Sequence, residues 1–281
     1  MLYTTLIGDS ELETRRHGGA VTIIDCRFDL LNPDWGEARW REAHIPGALY
    51  AHLDRDLSAP RQRTSGRHPL PDRTRLAAQF GRWGITSDTQ IVAYDQGNGM
   101  FAARLWWLAR WLGHRAVAVL DGGFAAWCAG GRPIDNHPPR SIAAEFSAAA
   151  ALVQAVSTRD VEAALVTGRA MLIDARAADR FRGENETIDP VAGHIPGAIN
   201  LPFATNLTAS GKFHSPQHLR EGFDTRLGAT GREIISMCGS GVTACHNLLA
   251  LEHAGLGGGR LYAGSWSEWI TDSRRAIATG P

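Results

Sequence analysis

The segment Cys238-Gly239-Ser240-Gly241-Val242-Thr243-Ala244 is the part of this chain best equipped for covalent chemistry. It follows an apolar run of strand length, Glu233–Met237, and leads into a helical stretch, Val242–His253. The thiol thus sits between a strand and a helix N-terminus. Glycines on both sides of Ser240 let successive backbone N–H groups turn inward as an anion-binding concavity. The helix dipole adds positive potential there. Both effects favour thiolate over thiol, and the thiolate is the nucleophile. Free cysteine is also a common small core residue, but a core strand has no use for a Gly-Ser-Gly frame. Cys238 is expected to be reactive.

The remaining cysteines read as packing. Cys26 follows a core strand, and Cys128 follows Trp127 in a helical stretch. Cys245 lies two helical turns beyond Cys238 and reads as core. Cys245-His246 has no adjoining C-x-x-C pair to complete a zinc site, so no metal is expected.

The elements that must position Cys238 are visible because the chain repeats itself. Ile23-Ile24-Asp25-Cys26-Arg27 recurs as Leu172-Ile173-Asp174-Ala175-Arg176, and His44-Ile45-Pro46-Gly47-Ala48 recurs as His194-Ile195-Pro196-Gly197-Ala198. Ile91–Tyr94 with Gly97-Asn98-Gly99 is echoed by Ile234–Met237 with Gly239-Ser240-Gly241. Asp121-Gly122-Gly123-Phe124-Ala125-Ala126-Trp127 parallels Ala263-Gly264-Ser265-Trp266-Ser267-Glu268-Trp269. The order is the same in both copies, so the chain is a tandem repeat of one domain. Strand-length runs (Thr22–Asp25, Ile91–Tyr94, Ala116–Leu120, and in the second copy Met171–Asp174, Glu233–Met237, Arg260–Tyr262) alternate with helical stretches such as Met100–Leu112. This alternation predicts an α/β fold, each copy a mostly parallel sheet flanked by helices. Asn136-His137-Pro138-Pro139-Arg140 and Ala148–Ala151 read as a linker, giving domains at 1–140 and 141–281. The tryptophans around Trp106 and the two His-Ile-Pro-Gly-Ala turns read as architecture. An ungapped match sets Gln96 opposite Cys238 and Asn98 opposite Ser240, so only the second copy carries the nucleophile.

Composition narrows the partners. The chain has 281 residues, with 29 basic and 29 acidic side chains, so it lacks the basic excess of a nucleic-acid binder. No apolar run approaches the ~20 residues of a membrane span, and no secretory signal is evident at the start. Four cysteines do not make a disulfide framework in a chain of this size. A cytoplasmic protein with reduced thiols is expected, with no membrane or nucleic-acid partner. Lys212 is the only lysine.

The Cys-Gly-Ser-Gly-Val-Thr-Ala loop, the tandem halves and Gly264-Ser265-Trp266-Ser267-Glu268-Trp269 resemble the tandem-rhodanese sulfurtransferases, most closely the 3-mercaptopyruvate sulfurtransferases. The resemblance covers essentially the whole chain. It implies a catalytically silent first half, and a second half whose cysteine carries sulfur as a persulfide to a thiol acceptor (thioredoxin or a small thiol) or to cyanide, with no cofactor. Cys238 then matches the sulfur carrier and Ser240 the serine two positions on. Arg180, in Asp174-Ala175-Arg176-Ala177-Ala178-Asp179-Arg180-Phe181, matches a substrate-binding arginine. The loop positions Gly239, Gly241, Val242 and Thr243 would bind the small-molecule sulfur donor. His68 in Gly66-Arg67-His68-Pro69 and Asp54 in His52-Leu53-Asp54 match a histidine and an aspartate that complete a relay with the serine, so the halves would share one active site. On residue type alone His68 reads as an exposed loop histidine and Asp54 as a solvated carboxylate.

Two departures bear on the substrate. The second arginine often found before the His-Ile-Pro-Gly turn is absent from Gly183–Asp189, so that carboxylate contact is either missing or supplied elsewhere, with Arg182 as one candidate. Thiosulfate-preferring relatives carry basic residues in the active loop, where this chain has Gly239 and Ser240. The expected activity is 3-mercaptopyruvate sulfurtransferase, the alternatives being thiosulfate sulfurtransferase or a non-catalytic sulfur-binding module. A cysteine phosphatase of the Cys-x5-Arg type is disfavoured, because Ala244 stands where its arginine would be.

Overall fold

A computed structural model describes residues 2–18, 21–139, 141–228 and 232–281. Arg140, where the domain boundary is expected, lies outside the described residues. The chain forms two compact units. The first comprises Met1–Ala59, Leu70–Leu152 and Ala209–Phe213; the second comprises Pro60–Pro69, Val153–Thr208 and His214–Pro281. A ten-residue segment of the first half of the chain, carrying His68, is therefore part of the second unit itself.

The first unit runs β1 (Leu6–Ile7), α1 (Asp9–His17), β2 (Val21–Asp25), α2 (Trp35–Glu42), β3 (Leu49–Tyr50), α3 (Arg73–Arg82), β4 (Gln90–Tyr94), α4 (Ala102–Trp111), β5 (Val117–Leu120) and α5 (Gly123–Ala129). Its five strands are all parallel in the order β1-β5-β4-β2-β3. Alternation along the strands divides the core. Ile23, Val92 and Tyr94 pack with Leu12 of α1 and Trp127 of α5. α4 packs on β4 and β5, and Ala102 through Arg110 are all buried. It is a central helix with no solvent face, which its run of Ala, Leu and Trp permits. The expected linker is instead tied to this unit: Ala144, Ala149 and Leu152 N–H groups donate to the Gly81, Leu112 and Arg110 carbonyls.

The second unit repeats the plan: β6 (Ala155–Val156), α6 (Thr158–Thr167), β7 (Ala170–Asp174), α7 (Ala178–Arg182), β8 (Ile199–Asn200), a 3-10 turn (Phe203–Asn206), α8 (Pro216–Leu227), β9 (Glu233–Met237), α9 (Thr243–His253), β10 (Arg260–Tyr262) and α10 (Ser265–Trp269). The order is β6-β10-β9-β7-β8, again wholly parallel. Ligands of such sheets bind beyond the carboxyl ends of the strands, where the Cys238 loop lies. The edge strands β1, β3, β6 and β8 have two residues each, too short to leave a period in the sequence.

The repeated Asp-x-Arg is a buried bidentate ion pair in both units. Arg27 grips Asp25 and reaches the Ala43 carbonyl, and Arg176 grips Asp174 and reaches the Gly193 carbonyl. Each pair ties the end of a central strand to the chain just ahead of the His-Ile-Pro-Gly turn. The motif is structural in both copies.

Strand register corrects the expected pairing of the halves. Asp25 lies opposite Tyr94 and Asp174 opposite Met237, so the residue following the strand is Asp95 in the first unit and Cys238 in the second. The next helix agrees: Phe124 N–H donates to the Asp95 carbonyl as Trp266 N–H does to that of Cys238. Asp95, not Gln96, stands in the place of Cys238.

Candidate active site

Cys238 leaves β9 into a loop that closes beneath it. The Gly241 N–H donates to Cys238 Sγ at 3.1 Å, supplying one of the inward-turned amides that the glycine frame predicts. Gly241 has φ +79°, and a Cβ there would lie 2.5 Å from the Ala263 carbonyl oxygen. Only glycine fits. Val242 caps α9 at its N-terminus, Thr243 opens it, and Cys238 is 2% exposed.

The Gly264–Trp269 motif holds this loop, a role that sequence reasoning did not assign to it. The Cys238 N–H donates to Ser265 Oγ at 3.1 Å, and that hydroxyl donates to the Tyr262 carbonyl. Trp266 and Ser267 N–H groups donate to the carbonyls of Cys238 and Gly239. Ser265 is buried at φ +53°, the one non-glycine with positive φ among the described residues. A left-handed backbone costs a non-glycine residue about 1–3 kcal/mol, and here it aims a hydroxyl at the nucleophile's own peptide.

The segment Pro60–Pro69 adds His68. Gly66 N–H donates to Glu268 and Arg67 N–H to Ser267 Oγ. A Cβ on Gly66 would stand 2.5 Å from the Gly264 carbonyl oxygen, so glycine allows the close approach. His68 Nδ1 and Ser240 Oγ then meet at 2.7 Å. His68 is 3% exposed, not the solvated histidine its residue type suggests. Asp54 lies in the first unit, exposed, and its N–H donates to His52 Nδ1.

Arg180, on α7, pairs bidentately with Glu186 and also donates to Asp189. Arg67 donates to the other oxygen of Asp189. Burial alone would push the Glu186 carboxyl up; the hydrogen bonds from Arg180 and from the Asp189 and Ile188 amides outweigh it and hold it below the usual range. Arg182 faces outward and pairs with Glu184, with over a third of its side chain exposed. Sequence reasoning missed Arg67, whose only signal was its place beside His68.

The other thiols differ from Cys238 in setting. Burial, then the neighbouring carboxylates Asp25, Asp95 and Asp56, push the Cys26 thiol well up. Cys245 is buried and donates to the Gly241 carbonyl, so it supports the loop. Cys128 is exposed, contrary to the packed position expected for it, because it lies on the outer side of α5. All four cysteines are free.

Two parallel α/β units, one of which holds a cysteine on the Gly241 backbone amide after its central strand, define a tandem protein of the rhodanese class. The chain belongs to the rhodanese family: the rhodanese-like domain matches residues 9–130 and again 157–272. It is 48% identical over 278 residues to the probable 3-mercaptopyruvate sulfurtransferase of Pseudomonas aeruginosa, covering 98% of each chain. It is 33% identical over 283 residues to the thiosulfate sulfurtransferase of Mus musculus, covering 96% of this chain and 93% of that one. The crystal structure of SseA from Escherichia coli, described as a 3-mercaptopyruvate sulfotransferase, superposes with a TM-score of 0.82 at 33% identity, covering 95% of this chain and 100% of that one. No helix among the described residues is long and apolar enough to cross a membrane.

Proposed function

We propose that the protein is a cytoplasmic 3-mercaptopyruvate sulfurtransferase whose sulfur carrier is Cys238. The observation that carries this reading is the loop itself: a cysteine on a donated amide, one residue from two guanidinium groups and two from a serine bonded to a histidine. Its four free thiols suit a reducing compartment.

The donor's carboxylate binds at Arg180, whose planar fork matches it. The Cys238 thiolate attacks the donor sulfur, and a sulfur–sulfur bond forms as the carbon–sulfur bond breaks. The bonding pair leaves on carbon as the enolate of pyruvate. That enolate takes a proton through Ser240 Oγ, with His68 on its far side as the proton source. The Gly241 amide, which donates to Sγ, stabilises the negative charge of the persulfide, with the amides of Gly239, Val242 and Thr243 in the same loop as further donors in this reading. A thiol acceptor such as thioredoxin or a small thiol, or cyanide, then attacks the outer sulfur and returns Cys238 as thiolate. The first unit contributes no nucleophile, since Asp95 stands in that place.

The test is intact mass of the reduced protein after separate exposure to 3-mercaptopyruvate and to thiosulfate, with Cys238→Ser as control. One added sulfur from 3-mercaptopyruvate, absent in the control, is expected. Loading from thiosulfate alone would replace the donor but keep the sulfurtransferase. Loading from neither would leave a sulfur-binding module without turnover.

A further inference from the structure

The stretch between α7 and the His-Ile-Pro-Gly turn of the second unit has no second arginine beyond Arg182, yet a second guanidinium is present beside Arg180. A single point just outside Gly239, where a Cβ would sit, lies 3.1 Å from Arg67 Nη2, 3.5 Å from Arg180 Nη2 and 3.6 Å from Asp189 Oδ2. Gly239 adjoins the nucleophile. Both side chains remain partly open, at 19% and 17% exposure, so a small solute can reach them. Asp189, whose side chain is 2% exposed, is already held between the two guanidinium groups, one oxygen on each. Two guanidinium forks converging on a carboxylate is the arrangement that binds this group best. Arg67 Nε is buried and has no hydrogen-bond partner in the structure.

We propose that Arg67 is the second carboxylate-binding residue for the sulfur donor, replacing from the Pro60–Pro69 segment the arginine missing between Arg180 and the His-Ile-Pro-Gly turn. The assignment rests on the sulfurtransferase reading for the identity of the donor, but not for the binding of a carboxylate. Hydrogen bonds hold the segment in place: the Gly66 and Arg67 backbone N–H groups donate to side chains of the Gly264–Trp269 motif, and the His68 ring meets Ser240 Oγ. Arg67 thereby reaches the loop as part of the same strap that delivers His68. Asp189 is the positioning residue that spreads the two guanidinium groups and fixes their angle.

The experiment compares Arg67→Gln and Arg67→Lys with the unaltered protein in two measurements. The first is sulfur loading from 3-mercaptopyruvate and from 1-mercapto-2-propanone, a donor with a methyl group in place of the carboxylate. The second is pyruvate binding to the sulfur-free protein by calorimetry, which needs no sulfur transfer. For Arg67→Gln we expect KM for 3-mercaptopyruvate and Kd for pyruvate each to rise about ten- to a hundredfold, as for loss of a charged hydrogen bond. The rate with the methyl donor stays unchanged, and Arg67→Lys recovers part of the affinity but not the bidentate geometry. An unchanged KM and Kd would overturn the proposal, as would an equal loss with both donors. Pyruvate bound tightly by a protein that accepts no sulfur, with Arg67→Gln weakening that binding, would support Arg67 and count against the sulfurtransferase reading alone.

Discussion

In the first unit the loop after the central strand closes on a carboxylate of its own; in the second it closes on a thiol. Asp95 accepts from the N–H groups of Gly97, Gly99, Phe101 and Ala102. Burial nonetheless pushes its carboxyl above the usual range, against those four donors. The anion cradle is present in both units. In the first it is filled from within, by the Asp95 side chain; in the second the Gly241 amide donates to Cys238 Sγ. A further contrast lies one turn away. Gly123 and Ser265 share a left-handed backbone, at φ +55° and +53°. A Cβ on Gly123 would lie 2.7 Å from the Asp95 carbonyl oxygen and 2.9 Å from the Gly97 nitrogen, whereas the second unit holds a serine there and uses its hydroxyl. Duplicated folds keep their ion pairs and turns because both need them to fold; only the residues facing the cradle are free to diverge.

Substitutions can break this comparison at several points. Asp95→Ala would leave four amide donors unmatched, three of them buried and each of those worth about 1–3 kcal/mol. Denaturant unfolding should show the largest loss, about 4 kcal/mol or more, and an unaltered midpoint would mean the first cradle needs no filler. His68→Gln should slow sulfur loading from 3-mercaptopyruvate by about a hundredfold or more, near 2.7 kcal/mol on the barrier. Stopped-flow loading with full retention of rate would remove His68 from the proton path. Ser265→Gly gives the second unit the first unit's residue. It relieves backbone strain but frees the Cys238 N–H, so loading should fall about tenfold for one lost hydrogen bond, with stability little changed. The reciprocal Gly123→Ser should destabilise the first unit, and a tolerant Gly123 would show the two loops to be interchangeable.

The smallest effect concerns pH. Glu186 is held below the usual carboxylate range in the fold. Its contribution is therefore fully present above the unfolded-chain value near 4.3 and is lost as pH falls through the folded value. Unfolding midpoints measured between about pH 5 and pH 3 should fall less steeply for Glu186→Gln than for the unaltered protein. Equal slopes would mean that Glu186 does not hold Arg180 in the folded protein.

Much of the fold was legible. The second copy's β9 and β10 match the runs read from the sequence residue for residue, and the remaining central strands differ by one residue at an end, since buried parallel strands are continuous apolar runs. The two-residue edge strands were not legible, nor was the attachment of the linker to the first unit. That attachment depends on carbonyls reaching Gly81 and Gly113, where the backbones approach too closely for a side chain. In the site, Cys238 and its glycine frame declared themselves locally. The pairing of Asp95 with Cys238 did not, because Gly-Asn-Gly and Gly-Ser-Gly align by letter one residue away from where the strands align by hydrogen bond.

By itself the amino-acid sequence determined the repeat, the parallel α/β plan and the reactive loop, since these depend on residues near one another along the chain, on period and on backbone freedom. The tertiary structure decided which distant residues serve that loop. His68 and Arg67 reach it only because Gly66 lets the Pro60–Pro69 segment lie against Gly264, and Ser265 only because a buried turn holds it at positive φ. The contacts of Gly66 and Arg67 cross some two hundred residues of sequence, and no local pattern encodes them; packing and the need to satisfy buried donors do.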